Sequence, residues 1–271
     1  MGTTVTSLSG KILPEQAQKI TTSLTDESTK DVHIHANPKI IAFFIGGAGD
    51  KRPFIGSGPN NNIVDVINQF LKDFKSEIND GDVNANPEKN YLGFYEIFGD
   101  DKIASNVISQ IHSKDIAIFI IGHSLGGWNG AHLSHILSTE GYLVDLLVTL
   151  DPVGIYYHTT LSGADIYPAI PRPIARYWVN LRYDGKTGPS VPNIVASAGG
   201  RWDVTESLPD RDEVSHPLTQ AQTQRLPDIN ATVAINHADT LQAMYAKLAG
   251  DSCAWWIMKS RIGDILHSQH E

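Results

Sequence analysis

The chain has 271 residues, of which 41% are hydrophobic and 19% charged, and its formal net charge is −9. Large α/β sheets of this size commonly form one domain, so we expect a single domain over residues 1–271. The acidic balance argues against binding to a phosphate backbone, which requires clustered Lys and Arg, so we expect no nucleic-acid partner.

The sequence also indicates where the protein is located, because it shows whether the chain has a membrane span, a secretory signal or a disulfide. No apolar stretch approaches the roughly 18 residues that span a bilayer, and residues 1–10 lack the basic and apolar parts of a secretory signal. The single cysteine, Cys253, cannot form an internal disulfide. We therefore expect a soluble protein without a Sec signal peptide, either cytoplasmic or exported by a signal-independent route.

Short apolar runs alternate with amphipathic segments along the chain. Residues 1–38 fit edge strands or an arm that covers a sheet. The apolar runs predict strands over 40–45, 91–98, 116–121, 143–150 and 177–183. Helical spacing predicts helices over 63–78, 100–112, 125–140 and 239–248, with a terminal helix after 251. This alternation predicts an α/β protein with a mostly parallel, doubly wound sheet.

Residues 152–235 interrupt this pattern. They are rich in Pro and Gly and show little periodicity, and loops of this length in a compact domain usually have a function. We interpret them as a lid-like or cap-like insertion that shapes a substrate pocket. Ile166, Ile170 and Trp202 are among its candidate apolar lining residues.

The strongest motif lies at residues 122–127, which read Gly-His-Ser-Leu-Gly-Gly and follow the apolar run 116–121 directly. The G-x-S-x-G form in a strand–turn–helix context is typical of a nucleophile elbow, which presents a serine hydroxyl at the edge of a sheet. Ser124 is therefore the candidate nucleophile. The N–H of Leu125, at the start of the next helix, is a candidate oxyanion donor.

A second glycine-rich loop, Gly-Gly-Ala-Gly-Asp at residues 46–50, follows the predicted strand 40–45. Backbone N–H groups of such a loop approach a substrate oxygen closely, so Gly47 or Ala48 is the candidate second oxyanion donor. A phosphate-binding loop is the alternative. The spacing matches neither G-x-x-x-x-G-K-[ST] nor G-x-G-x-x-G, which disfavours that alternative.

A nucleophilic serine needs a histidine base and an acid that orients the histidine. Asp151 follows the first strand after the elbow, at the carboxyl end where open α/β sheets place ligands, and is the candidate acid. Asp184, after the next strand, is the alternative acid. His237, between an apolar run and a late helix, is the candidate base, and His216 is the alternative base.

Two histidine pairs have a spacing that could hold a metal: His33 with His35, and His132 with His135. Neither pair has an evident third ligand nearby, so we expect packed or solvated side chains and no metal. Nothing else in the sequence indicates a cofactor, and we expect none.

These motifs resemble those of the α/β-hydrolase superfamily and, within it, of lipases, whose elbow commonly reads as residues 122–127 do. The resemblance covers about 40 to 150 and the neighbourhoods of Asp151 and His237. It implies an α/β-hydrolase fold, hydrolysis of carboxylic esters, and the roles given above to the candidate residues. The lack of a Sec signal is also similar to bacterial lipase effectors delivered by contact-dependent secretion.

The expected function is therefore that of a serine ester hydrolase, a lipase or phospholipase that works through an acyl-enzyme. An acyltransferase or thioesterase on the same fold is one alternative, and a non-catalytic binding module that retains the elbow is another. The expected partner is a lipid or small ester, and a transient contact with a membrane surface stays open.

Overall fold

A computed structural model describes residues 38–53, 58–155, 165–184, 190–204 and 226–268. All of them belong to one unit, Asn37–Glu271. The arm predicted over residues 1–38 falls almost wholly outside the described residues. The single domain over 1–271 accordingly stays a prediction.

Seven strands form one sheet, in which neighbouring strands pair in parallel. In chain order these are β1 (Ile40–Gly46), β2 (Val83–Asn84), β3 (Tyr91–Gly93), β4 (Ala117–His123), β5 (Leu143–Leu150), β6 (Tyr177–Tyr183) and β7 (Ile229–Val233). The spatial order is β2-β1-β4-β5-β6-β7, and β3 also pairs with β1. The predicted α/β class and mostly parallel sheet are confirmed.

Eight α-helices occur in the described part of the chain. They are α1 (Val64–Asp73), α2 (Lys75–Asn79), α3 (Pro87–Asn90), α4 (Asp100–Asn106), α5 (Leu125–Thr139), α6 (Val191–Gly199), α7 (Thr240–Met244) and α8 (Ala254–His267). None of these helices has both the length and the apolar character needed to cross a membrane.

The sheet is buried on both faces, which explains its continuous apolar runs. Side chains of β1 alternate between two hydrophobic clusters, with Ile40 and Phe44 in one and Ile41 and Phe43 in the other. Helices α1, α7 and α8 contribute to the first cluster, and α4, α5 and α6 contribute to the second. The carboxyl ends of β4 and β5 therefore emerge between two helical layers.

Helix α8 is attached to the sheet by a buried ion pair. Asp145 on β5 is 1% exposed at its side chain, and Arg261 donates from Nε to Asp145 Oδ1 at 2.6 Å. Arg176 lies 3.6 Å from the second oxygen of the same carboxylate. A buried carboxylate needs such partners, because an isolated charge there would be strongly destabilising.

The predicted strand 91–98 is wrong beyond Gly93. The chain turns there into one 3₁₀ segment, Phe94–Ile97. The Gly93 N–H donates to the Glu96 carboxylate at 2.7 Å, and Asn129 donates to the Phe94 carbonyl at 2.9 Å. These hydrogen bonds stabilise a local turn in place of the predicted strand. A short apolar pattern does not distinguish the two structures.

Several helix predictions need shorter bounds. The segment 63–78 forms two helices, because Phe74 leaves helical geometry at φ −113° and ψ 27°. The predicted helix 100–112 ends at Asn106 and continues as a 3₁₀ turn, and the helix predicted over 239–248 ends at Met244. Tertiary packing rather than intrinsic propensity sets these ends.

The region 152–235 is more regular than its composition predicts, since it contains β6, α6 and β7. Trp202 and Ile166, predicted as pocket lining, are instead 1% and 3% exposed in the core. Trp202 stacks on Trp178 with ring centroids 5.6 Å apart. Residues 156–164, 185–189 and 205–225 lie outside the described residues, so the insertion as a lid stays a prediction.

Candidate active site

Ser124 lies at the junction of β4 and α5 in a strained backbone conformation. Its φ of 57° and ψ of −126° are unusual for a residue with a side chain, and such strain is concentrated at functional sites. Its N–H donates to the Leu150 carbonyl at 3.0 Å, which ties the turn to the end of β5. Leu125 is the first residue of α5, so its N–H lies where a helix has no internal acceptor.

Glycines allow the turn to close. A Cβ added to Gly122 would lie 2.5 Å from the Gly126 carbonyl oxygen, and one added to Gly126 would lie 2.3 Å from the Ile45 carbonyl oxygen. Real Cβ atoms do not approach backbone atoms so closely. The spacing of the motif is therefore required by the local geometry of β1, β4 and α5.

Asp151 and His237 are joined directly. His237 Nδ1 lies 2.6 Å from Asp151 Oδ2, although 86 residues separate them, and both side chains are almost wholly buried. Asp151 follows β5 with a φ of 42°, a second strained residue beside Ser124. The ring of His237 packs against that of His123, the residue before Ser124, with centroids 4.6 Å apart. The site therefore lies at the carboxyl ends of β4 and β5.

The Asp151 carboxylate receives further hydrogen bonds. Its Oδ1 accepts from the Tyr183 N–H at 3.0 Å, and Arg201 Nε donates to Oδ2 at 2.8 Å and to Oδ1 at 3.1 Å. Burial by itself raises the pKa of Asp151, but hydrogen bonds and charges from His237 and Arg201 outweigh it and lower that pKa. The acid is therefore held in its ionised form, which favours a proton on His237 Nδ1.

Two residues fix the backbone around His237. The His237 carbonyl lies 2.7 Å from His123 Nε2, and the His237 N–H donates to Asn193 Oδ1 at 2.9 Å. Burial lowers the pKa of His123 to about 3, so its ring stays neutral. A neutral ring with Nε2 protonated donates to the His237 carbonyl, which makes His123 a support for the base.

The loop at residues 46–50 packs against the elbow. A Cβ at Gly47 would lie 2.5 Å from the Ser124 Cβ and 3.1 Å from its Oγ, so this loop borders the nucleophile. The fully buried Asp50 accepts hydrogen bonds from the N–H of Ile63 at 3.4 Å and from the Tyr91 hydroxyl at 3.3 Å. Burial raises the pKa of Asp50 to about 6.

The position of Asp50 distinguishes the two candidate oxyanion donors of this loop, the N–H groups of Gly47 and Ala48. The backbone N–H of Gly47 faces the Asp50 carboxylate and contributes to lowering its pKa. Ala48 is partly exposed, between the buried Gly47 and Gly49. This geometry favours the N–H of Ala48 over that of Gly47 as an oxyanion donor.

Of the candidate acids and bases, the structure brings Asp151 and His237 together. Asp184 directly follows β6, and its N–H donates to the Val233 carbonyl at 3.0 Å. His216 lies outside the described residues. No sequence pattern pointed to Arg201, because it lies 50 positions from Asp151 in a region without periodicity.

The histidines of α5 also have assigned contacts. His132 Nε2 lies 2.8 Å from the Ala169 carbonyl, and His135 Nδ1 lies 2.9 Å from that of Arg172. They connect α5 to the segment before β6. The residues that the structure describes contain no group of three or more potential metal ligands of the His, Cys, Asp or Glu type.

Comparison of the chain with protein-family models, with curated proteins and with solved structures finds no match. The geometry at the ends of β4 and β5 is thus the basis for any statement about activity.

Proposed function

We propose that the protein is a serine hydrolase of carboxylic esters, with Ser124 as nucleophile, His237 as general base and Asp151 as the orienting acid. The observation that carries the proposal is the 2.6 Å contact between His237 Nδ1 and Asp151 Oδ2 beside a serine held at φ 57°. A glycine-rich turn with an inert serine would give no reason for a buried acid–imidazole pair beside it. Lipids are the substrate class that the resemblance to lipases indicates.

In the proposed reaction, Ser124 Oγ attacks the ester carbonyl while His237 Nε2 takes its proton. The carbonyl oxygen becomes an oxyanion, which the N–H groups of Leu125 and Ala48 stabilise. His237 then protonates the leaving alcohol, and an acyl group remains on Ser124. Water, deprotonated by the same imidazole, releases the carboxylic acid and restores the serine.

The charges around the acid suit this role. Asp151 is ionised and hydrogen-bonded, so it holds the Nδ1–H tautomer and leaves Nε2 as the basic nitrogen. Asn193 and His123 hold the backbone of His237 on either side. The base therefore has a fixed orientation before substrate arrives.

The test is a comparison of Ser124→Ala with Ser134→Ala. Ser134 is a fully buried serine of α5 that hydrogen-bonds the Ala131 carbonyl, and it lies outside the proposed site. We expect Ser124→Ala to lower turnover of a chromogenic short-chain ester by about three orders of magnitude or more. Ser134→Ala should keep turnover near that of the wild type.

Covalent labelling provides a second measurement. A fluorophosphonate reacts only with an activated hydroxyl, so it should label the wild type at Ser124 and leave Ser124→Ala unlabelled. Wild-type turnover in Ser124→Ala, or absence of labelling in the folded wild type, would show that the proposed function is wrong.

A further inference from the structure

We infer that Arg201 is a positioning residue that locks the Asp151 carboxylate and lowers the pH at which the His237 ring takes up a proton. The inference rests on the proposed function, because it concerns the same base. Arg201 is a residue that acts through Asp151 and not on the substrate.

Arg201 holds the carboxylate together with the backbone of β6, whose Tyr183 N–H donates to Oδ1. Its Nε reaches both carboxylate oxygens, at 2.8 and 3.1 Å, and its side chain is only 14% exposed. Nη1 donates to Ser197 Oγ at 2.8 Å, and that hydroxyl donates to the Asn193 carbonyl at 2.9 Å. The guanidinium is therefore anchored on α6, the helix whose Asn193 also holds the His237 N–H.

One oxygen serves both partners. Asp151 Oδ2 accepts from His237 Nδ1 and from Arg201 Nε. A protonated imidazole would thus place its positive charge within the range, about 4–6 Å, at which like charges oppose each other's protonation. An acid alone would favour the imidazolium, and Arg201 offsets that preference while keeping the carboxylate in place.

The other groups that face His237 do not replace this charge. Among the described residues these include His123, whose ring is 4.6 Å away, and Tyr183, whose ring is 6.3 Å away, and the charge of Asp239 acts on Tyr183. Burial keeps His123 and Tyr183 neutral, since it lowers the pKa of the first to about 3 and raises that of the second. Among the described residues, the charges joined to the His237 ring through hydrogen bonds are those of Asp151, directly, and Arg201, through the Asp151 carboxylate.

The consequence is that removal of Arg201 would leave the His237 ring beside a carboxylate without a second cation. An Asp–His pair without a neighbouring cation gains stability from the imidazolium and loses its base as the pH falls. With Arg201 present, the carboxylate and guanidinium together are close to neutral. His237 then keeps its free Nε2 at a lower pH than it would beside the acid alone.

The test uses Arg201→Gln, which removes the charge, and Arg201→Lys, which keeps it. Arg261→Gln is the matched control, because Arg261 also pairs through Nε with a buried carboxylate, that of Asp145, which lies near the start of β5 and away from the elbow at the strand's carboxyl end. Two quantities are measured for each protein. One is the pH midpoint of the acid limb of turnover with a soluble short-chain ester, and the other is the pH midpoint of the His237 ring signals in ¹⁵N-histidine NMR.

We expect Arg201→Gln to raise both midpoints by about one pH unit, because it removes a positive charge that disfavours the imidazolium, and a like charge at this range shifts a pKa by about one unit or more. Arg201→Lys should restore midpoints close to the wild-type values even where turnover stays reduced. Arg261→Gln should leave both midpoints unchanged. A merely structural Arg201 would lower turnover without moving either midpoint, and that result would overturn the inference.

A second variant and the NMR readout separate a failure of this inference from a failure to fold and from a failure of the proposed function. If Arg201→Gln does not fold, replacement of Arg201 by citrulline removes the charge and keeps the Nε–H bond, and an unmoved NMR midpoint there would overturn the inference. The NMR midpoint requires no turnover. A failure of the proposed function therefore appears in the Ser124→Ala comparison, independently of the Arg201 result.

Discussion

The gap between the loop at residues 46–50 and the elbow leaves room for a hydrogen atom and no more at Gly47. In Gly47→Ala, the new Cβ would lie 2.5 Å from the Ser124 Cβ, whereas carbon atoms prefer about 3.5–4.0 Å. The overlap requires a movement of about 1 Å. The elbow is fixed by Leu150 and by its own glycines, so the loop moves and takes the N–H of Ala48 with it.

A misplacement of this size in a catalytic constellation costs about 100-fold in rate. We therefore expect Gly47→Ala to lower kcat for a soluble short-chain ester about 100-fold, with a much smaller change in KM. Fluorophosphonate labelling should slow as well, because it too develops negative charge at the oxyanion donors. Steady-state kinetics and labelling rates, measured at equal protein concentration, give both quantities.

Gly263→Ala is the matched control. Nothing lies within 4 Å of a Cβ at Gly263, which is inside α8 and away from the elbow. That variant should keep wild-type kcat and gain about 0.5–1 kcal/mol in stability, since alanine is the better helix former. A Gly47→Ala protein with kcat within threefold of wild type and an unchanged Tm would refute the reasoning about the gap.

Two other variants test the buried surroundings of the site. The folded state binds the Asp50 proton more tightly than the unfolded chain, because burial raises the pKa to about 6, so wild-type stability should fall as the pH rises from about 4 through 6. Asp50→Asn should remove this loss, about 3 kcal/mol at neutral pH, and identical pH profiles in urea unfolding would contradict it. Gly154→Ala would bring a Cβ within 2.3 Å of the Trp128 ring and should cost about 1–3 kcal/mol. An unchanged thermal midpoint would argue against that contact.

The sheet was the most predictable part of the molecule. Strands β5 and β6 have the bounds that the sequence predicts, because each is mostly buried on both faces and is followed directly by an aspartate. The position of β1 beside β4, and hence of the glycine-rich loop beside the elbow, follows the same pattern. Ser124 and Asp151 were accessible to sequence reasoning because each directly follows such a strand.

The region after β5 was less predictable for physical reasons. Helix α6 exposes Val191, Ile194 and Val195, so its hydrophobic pattern does not mark a buried face. β7 is an edge strand that alternates partly buried and exposed residues over five positions, too few to separate it from a loop. Arg201 gave no signal, because arginines are usually exposed and its partner is distant in sequence.

Two buried carboxylates belong to the β5 region: Asp145 lies within the strand and Asp151 directly follows it. Each carboxylate is paired with an arginine from later in the chain. During synthesis the strand leaves the ribosome long before Arg201 and Arg261 do. A buried carboxylate without its cation is strongly destabilising, by about 3–5 kcal/mol. Strand β5 can therefore bury both carboxylates together with their cations only after translation has passed Arg261.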